Sequence, residues 1–243
     1  MSIELLILPA GCFVAAFCAG LAGFAFNLIA AGILLHFVSP QVLAPVIVVS
    51  SLVVQSISLP TILHLVRWRR LIPQIVAGVI GTPIGVMILG VASPRMVGAV
   101  VGVLLTGYGG YMLARIALRR APPSMGEHPW ADRFIGFLSG ILGGIGGFSG
   151  GLFAMWHDVQ GLNKDETRAR LQPFVTVMQM ISVLTLAAGG FVTRETGFLI
   201  LTALPALIAG TWLGLRFYRI IPAQGFRLVL LSLLFLSGIS LLV

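Results

Sequence analysis

Charge is scarce in this chain: 9% of its 243 residues are Asp, Glu, Lys or Arg, against roughly a quarter in an ordinary soluble domain. Acid is scarcer than base, with 7 carboxylates against 15 basic residues and a net charge of +8. Glu4, Glu127, Asp132, Asp158, Asp165, Glu166 and Glu195 all fall at segment ends or in loops. No carboxylate is therefore placed to serve a buried proton relay. Cysteine is nearly absent. Cys12 and Cys18 lie in one apolar run with no histidine close by, which excludes a disulfide framework and a zinc site of ordinary spacing. His36, His64, His128 and His157 lie near segment ends or in the linker, where an apolar body and a polar tip suit an interface, and proton coupling, if any, would use one of them. No metal and no cofactor is expected. The N-terminus has no basic region ahead of its apolar run, so no removed signal peptide is expected either.

What is abundant is hydrocarbon. Hydrophobic residues make up 58% of the chain and the mean hydropathy is +1.07. Apolar runs extend from Ile3 to Phe37, Val42 to Val66, Pro73 to Val91, Met96 to Ala114, Phe134 to His157, Leu171 to Gly189, Gly197 to Leu215 and Phe226 to Val243. Several reach the ~20 residues that a helix needs to cross about 30 Å of hydrocarbon. An all-α, multi-pass integral membrane protein follows, and a soluble globular domain is excluded. The basic residues sit in short loops between the runs, as in Arg67, Arg69, Arg70 and Arg115, Arg119, Arg120. That placement marks cytoplasmic helix ends near anionic lipid, so the partner is a lipid bilayer and no nucleic acid is implied.

One polar stretch interrupts the pattern. Residues 119–133 carry Pro122, Pro123, Glu127 and Asp132 and divide the chain into residues 1–118 and 134–243, each with four runs. The halves match in order. Ala19-Gly20-Leu21-Ala22-Gly23-Phe24-Ala25 corresponds to Gly143-Gly144-Ile145-Gly146-Gly147-Phe148-Ser149, and Gly81-Thr82-Pro83-Ile84-Gly85 to Gly210-Thr211-Trp212-Leu213-Gly214. Pro45 and Pro173 open the second run of each half. An internal duplication follows. The run from Ile3 to Phe37 is too long for one span, so it breaks, and Gly20 and Gly23 mark the expected place.

Charge then sets the topology. If every run were a simple span, Arg216, Arg219 and Arg227 would fall outside. If each half opens with a broken or re-entrant hairpin, the basic clusters, including Lys164, Arg168 and Arg170, share the inner side. Only Arg95 and Arg194 then face outward. One hairpin plus three spans crosses an odd number of times, so the second half is inverted relative to the first, with residues 119–133 as a cytoplasmic linker and both termini outside.

Interrupted backbone at membrane depth strands N–H and C=O groups that lipid cannot satisfy, so it survives only beside protein or a polar cavity. A half-helix starting at such a turn offers free amides and the positive end of its dipole to an anion. Gly20, Gly23, Gly144 and Gly147 are expected to shape the turns. Asn27, Ser51, Gln55, Ser149, Thr176 and Gln179 are the expected polar lining, with Asn27, Gln55, Ser149 and Gln179 donating hydrogen bonds to the substrate. Ser51 with Gln55, and Thr176 with Gln179, each fall near one helical face. The bland alternatives are packing for the glycines and back-bonding to the preceding turn for Ser51, Ser56 and Ser58.

The duplicated halves, the glycine-rich motifs at Ala19 to Gly23 and Gly143 to Gly151, and the paired Gly-Thr-x-x-Gly together resemble the sulfite exporter TauE/SafE family of membrane permeases, over nearly the whole chain. The resemblance implies a secondary transporter in a bacterial inner membrane that exports small sulfur-containing anions: sulfite, thiosulfate or organosulfonates such as sulfoacetate. Ala19 and Ala22 replace glycines of the family's richest pattern. The coupling ion, proton or sodium, is left open. Two competing classes are an anion channel or membrane scaffold and a rhomboid-like intramembrane serine protease, suggested by Gly147-Phe148-Ser149-Gly150 but lacking a base on any later span.

Overall fold

The computed structural model describes residues 4–22, 26–118, 125–126, 128–162, 164–217 and 223–242. Ten helices account for nearly all of them, with no strand among the described residues: α1 (Glu4–Ala22), α2 (Phe26–Leu34), α3 (Pro40–Ser58), α4 (Trp68–Val91), α5 (Pro94–Ala117), α6 (Pro129–Gly146), α7 (Ser149–Val159), α8 (Lys164–Ala188), α9 (Arg194–Phe217) and α10 (Ala223–Leu242). Eight apolar runs become ten helices because each opening run holds two, α1 and α2 in the first and α6 and α7, interrupted at Gly147 and Phe148, in the fifth. The helices also outlast their runs at the ends, since polar residues can continue a helix beyond the hydrocarbon; α8 begins seven residues before Leu171. Lengths recur in order: 19, 9, 19, 24 and 24 residues, then 18, 11, 25, 24 and 20.

Five of these helices, α3, α4, α5, α8 and α9, are long and apolar enough to cross a membrane. Their outer faces are as greasy as the interior. On α4 an exposed stripe runs Ile72, Val76, Ile80, Ile84, Met87 and Val91, the last 87% exposed, and on α9 Leu201 is 68% exposed. A helix apolar on every side has lipid rather than water as its solvent.

Two glycine seams hold the bundle together. Gly136, Gly140 and Gly144 of α6 recur every fourth residue and back onto Gln74, Gly78 and Thr82 of α4. A methyl at Gly136 would sit 2.6 Å from the Gln74 carbonyl oxygen, while methyls at Gly140 and Gly144 would collide with the carbonyls of Gly78 and Thr82. Gly81 and Gly85 of α4 return the approach on the carbonyls of Phe137 and Ile141. Residue numbers rise together on both helices, so α4 and α6 are parallel. The second seam repeats this: Gly210 lies against Phe13 (2.6 Å) and Gly214 against Phe17, while Gly20 lies against Thr211 (2.8 Å). Hence α1 and α9 are also parallel. Thr82 and Thr211, the matched threonines, each donate to the carbonyl four residues back, Gly78 (2.9 Å) and Leu207 (2.7 Å), which hides a polar hydroxyl inside its own helix. Small residues suit such seams because lipid gives helices no hydrophobic reason to associate, and close backbone approach supplies dispersion contacts instead.

By contrast, α5 and α10 are antiparallel, since Gly102 meets Gly238 and Leu242 while Gly109 meets Leu231 and Phe235. Both opening segments fold back on themselves. A methyl at Gly11 would lie 2.9 Å from Leu34, placing the end of α2 beside the first half of α1. At the other hairpin, Asp132 in the first turn of α6 accepts from Trp156 Nε1 and Gln160 Nε2 at the end of α7, both at 2.7 Å. Asp158 pairs there with Arg115 of α5 and accepts from Tyr111 at 3.2 Å. These contacts tie the two ends of the second hairpin together, away from its tip at Gly147 and Phe148.

Candidate functional site

The tip of the second hairpin is the break between α6 and α7. Gly147 ends α6 with φ +79°, a left-handed conformation that costs a residue with a Cβ about 1–2 kcal/mol. Its N–H donates to Gly143 (2.6 Å) and the Phe148 N–H to Leu142 (3.1 Å). α7 then starts at Ser149 with no side-chain cap, so its first amides have no partner within the helix.

Two helices converge on one atom of this break, and a third meets one of their side chains. Asn27 of α2 donates Nδ2 to the Gly147 carbonyl oxygen. Gln179 of α8 donates Nε2 to the same oxygen at 3.2 Å and to Ser51 Oγ of α3 at 3.3 Å. Ser182, one turn further along α8, donates to Gly143 at 3.2 Å. Every one of these side chains is buried, Gln179 completely. Three polar atoms of these residues and of Ser149 remain without a partner: Asn27 Oδ1, Gln179 Oε1 and Ser149 Oγ. An unpaired buried amide or hydroxyl costs roughly 1–3 kcal/mol, and here several lie within a few residues of interrupted helix.

The expected residues divide into three groups. Asn27, Ser51, Gly147 and Gln179 are brought together, with Ser149 at the head of α7 and Gln55 buried one turn beyond Ser51. Thr176 is buried, but its hydroxyl donates to Gln172 of its own helix at 2.8 Å, as Ser56 and Ser58 donate to Leu52 and Val54. Back-bonding thus accounts for Ser56 and Ser58 but not for Ser51, which accepts from Gln179. Gly20 and Gly144 correct the expectation that they shape the turns: both lie inside helices, in the seams against α9 and α4, because close approach of backbones demands glycine as strongly as a turn does. Gly23 lies outside the described residues. The expected direction of donation is also corrected, since the amide hydrogens of Asn27 and Gln179 go to the Gly147 carbonyl.

Ser182 was not singled out in the sequence. Ser182 follows Gln179 by three residues and so shares its face, a spacing that could have drawn attention to it. Beside the break, a narrow apolar crevice reaches Gly146 and Phe148 from between Leu35, Leu43, Ile47 and Val97. Ser149 has no base. His157 lies two turns on along the same helix, roughly 12 Å away along the axis, and its Nδ1 is held by the Phe153 carbonyl at 2.8 Å. Activation of a serine nucleophile needs a base within hydrogen-bond reach.

No curated protein and no solved structure matches this chain. A family model does. The description sulfite exporter TauE/SafE applies to residues 7–241, nearly the full length, and the broken opening segments and paired Gly-Thr-x-x-Gly seams fall within that span. The chain therefore belongs to the sulfite exporter TauE/SafE family, a family of membrane transporters rather than enzymes.

Proposed function

We propose that this protein is a secondary transporter that binds a small sulfur-containing anion at the breaks of its two hairpins and exports it by alternating access. Sulfite, thiosulfate and organosulfonates such as sulfoacetate are the substrate class, and a bacterial inner membrane is the location. The two units are residues 1–118 and 134–243, joined by a cytoplasmic linker over residues 119–133, with the second inverted relative to the first and each opened by a re-entrant hairpin.

Several features support the inversion. α4 packs parallel to α6 and α1 parallel to α9, whereas α5 and α10, which hold the same place in each unit, run antiparallel. Placing Arg67 and Arg70 inside then puts Arg115, Asp132 and Gln160 inside with them, because α5 returns to that side and α6 starts from it. The same chain of directions carries Arg216 inward and Arg95 and Arg194 outward, in accord with the charge rule.

The observation that carries the reading is the buried interruption at Gly147 and Phe148, ringed by Asn27, Ser51, Ser149 and Gln179. Free amides at the head of α7 and the Ser149 hydroxyl give an anion its donors. A helix end contributes about 0.3–2 kcal/mol and desolvating an ion costs several, so the side chains around the break are needed to complete the site. The test is flux of labelled sulfite in proteoliposomes. Replacing Gly147 with tryptophan should abolish flux while the protein still reaches the membrane, and unchanged flux would overturn the site.

A further inference from the structure

The hydrogen-bond valence left over at the break is mostly acceptor, and an anion cannot use it. The Gly147 carbonyl oxygen can only accept, so the carboxamides of Asn27 and Gln179 must present their NH2 groups to it. Their oxygens are fixed by that choice. Asn27 Oδ1 and Gln179 Oε1 are buried without a donor, as is Ser149 Oγ. Backbone adds to the surplus. α6 is interrupted after Gly146, and the Gly147 and Phe148 amides turn back to Gly143 and Leu142, so the carbonyls of its last turn lose those two donors. Against these oxygens stand the first amides of α7 and the one hydroxyl hydrogen of Ser149.

The structure assigns a second guest to this site: we propose that a small monovalent cation, sodium, is held by Asn27 Oδ1, Gln179 Oε1, Ser149 Oγ and carbonyls of the last turn of α6, next to the anion at the head of α7. The proposal rests on the reading of the break as the transport site and adds its coupling ion. A broken helix has two ends of opposite polarity, and carbonyls at the C-terminal end suit a hard cation as the amides at the N-terminal end suit an anion. Oxygen ligands without sulfur or imidazole select such a cation. A divalent ion is disfavoured because no carboxylate lies at the break to offset its charge; among the described residues, Asp132 and Asp158 are engaged at the far end of the hairpin. A proton is disfavoured because amide oxygens and hydroxyls do not hold one near neutral pH, and His157 lies two turns away with Nδ1 on Phe153.

Cation and anion in adjacent places neutralise one another, so each must tighten the other's binding by the same factor. The test uses the purified full chain and three salts at equal ionic strength: sodium, potassium and choline chloride. Sodium should raise the thermal unfolding temperature in a saturable way that potassium and choline do not reproduce, and sulfite should lower the half-saturating sodium concentration. Ser149→Ala removes an oxygen that has no protein partner, so the fold tolerates it, and should raise that concentration at least tenfold. Identical unfolding curves in the three chlorides, the result expected where waters alone fill the site, would overturn the assignment, as would an unchanged sodium response in Ser149→Ala. Sodium-specific stabilisation without sulfite flux would uphold the cation site and count against the transporter reading. Sulfite flux indifferent to sodium would do the reverse.

Discussion

Gly147 and Gly190 form a matched pair that separates backbone strain from the chemistry of the break. Their φ angles are nearly equal, +79° and +76°. An alanine methyl at Gly190 meets nothing within 4 Å, whereas at Gly147 it would lie 2.7 Å from Asn27 Nδ2 and 3.1 Å from Gln179 Nε2. Gly190→Ala should therefore cost only the left-handed strain, about 1–2 kcal/mol. Gly147→Ala carries the same strain and also displaces two donors from one carbonyl; at roughly 0.5–1.5 kcal/mol per hydrogen bond, the sum is about 2–5 kcal/mol. Function should separate the two more sharply, because the displaced amides are those that ring the site. Unfolding in mixed detergent gives the stability difference and labelled sulfite flux the activity. If Gly147→Ala proves no less stable than Gly190→Ala and transports as well, then the convergence of Asn27 and Gln179 on the break has no functional weight.

Among the residues expected to line the site, Gln179→Leu should abolish flux while Thr176→Val leaves it nearly intact, since the Thr176 hydroxyl serves its own helix at Gln172. Both are read in the same proteoliposome assay. In the seams, Gly85→Leu and Gly214→Leu drive a side chain into a facing backbone, an overpacking cost of about 1–3 kcal/mol or more. Gly107→Leu, at a glycine with nothing within 4 Å, should be silent; the yield of monodisperse protein after detergent extraction distinguishes them. Topology is open to cysteine labelling, because the native Cys12 and Cys18 are both free and buried. Asp165→Cys should react only from the cytoplasmic side and Arg194→Cys only from the outside, and the reverse pattern would dismantle the inverted arrangement.

Much of the scaffold was legible because its signals are local. Apolar runs of the right length became helices, and the long run from Ile3 to Phe37 contains two, Glu4–Ala22 and Phe26–Leu34. The glycines were harder. A glycine in a turn and a glycine under a crossing helix look alike in sequence, so Gly20 and Gly144 read as turn formers although they sit in seams. The fourfold spacing of Gly136, Gly140 and Gly144 is the mark of a seam, and Gly147 is distinguished only by the hydrogen bonds that its neighbours make. The polarity of the site was beyond local reading altogether. Whether Asn27 and Gln179 offer hydrogens or oxygens to a guest depends on a carbonyl 120 and 32 residues away in the chain.

The seams also decide which parts can move against one another. α6 of the second unit is locked to α4 of the first, and α1 of the first to α9 of the second, through backbone contacts that leave no room for sliding. The sequence halves therefore cannot rock as independent bodies, since each hairpin is fastened to a helix of the other half. The proposed alternating-access cycle then requires the swapped pairs, α1 with α9 and α4 with α6, to move as units. A covalent link within a swapped pair should leave transport intact. Gly210 faces Ala16, with a built Cβ 3.1 Å from the alanine Cβ, a little under the ~3.5–4.5 Å of a disulfide. Ala16→Cys with Gly210→Cys, on a background with Cys12 and Cys18 replaced by alanine, puts the new Cβ 2.6 Å from the Phe13 carbonyl, so the seam must open slightly for the pair to oxidise and the reduced variant is the reference. Labelled sulfite flux should then be equal before and after oxidation; loss of flux on closing that bond, restored by reduction, would show that α1 must slide along α9 and that the swapped pairs are not the rigid units.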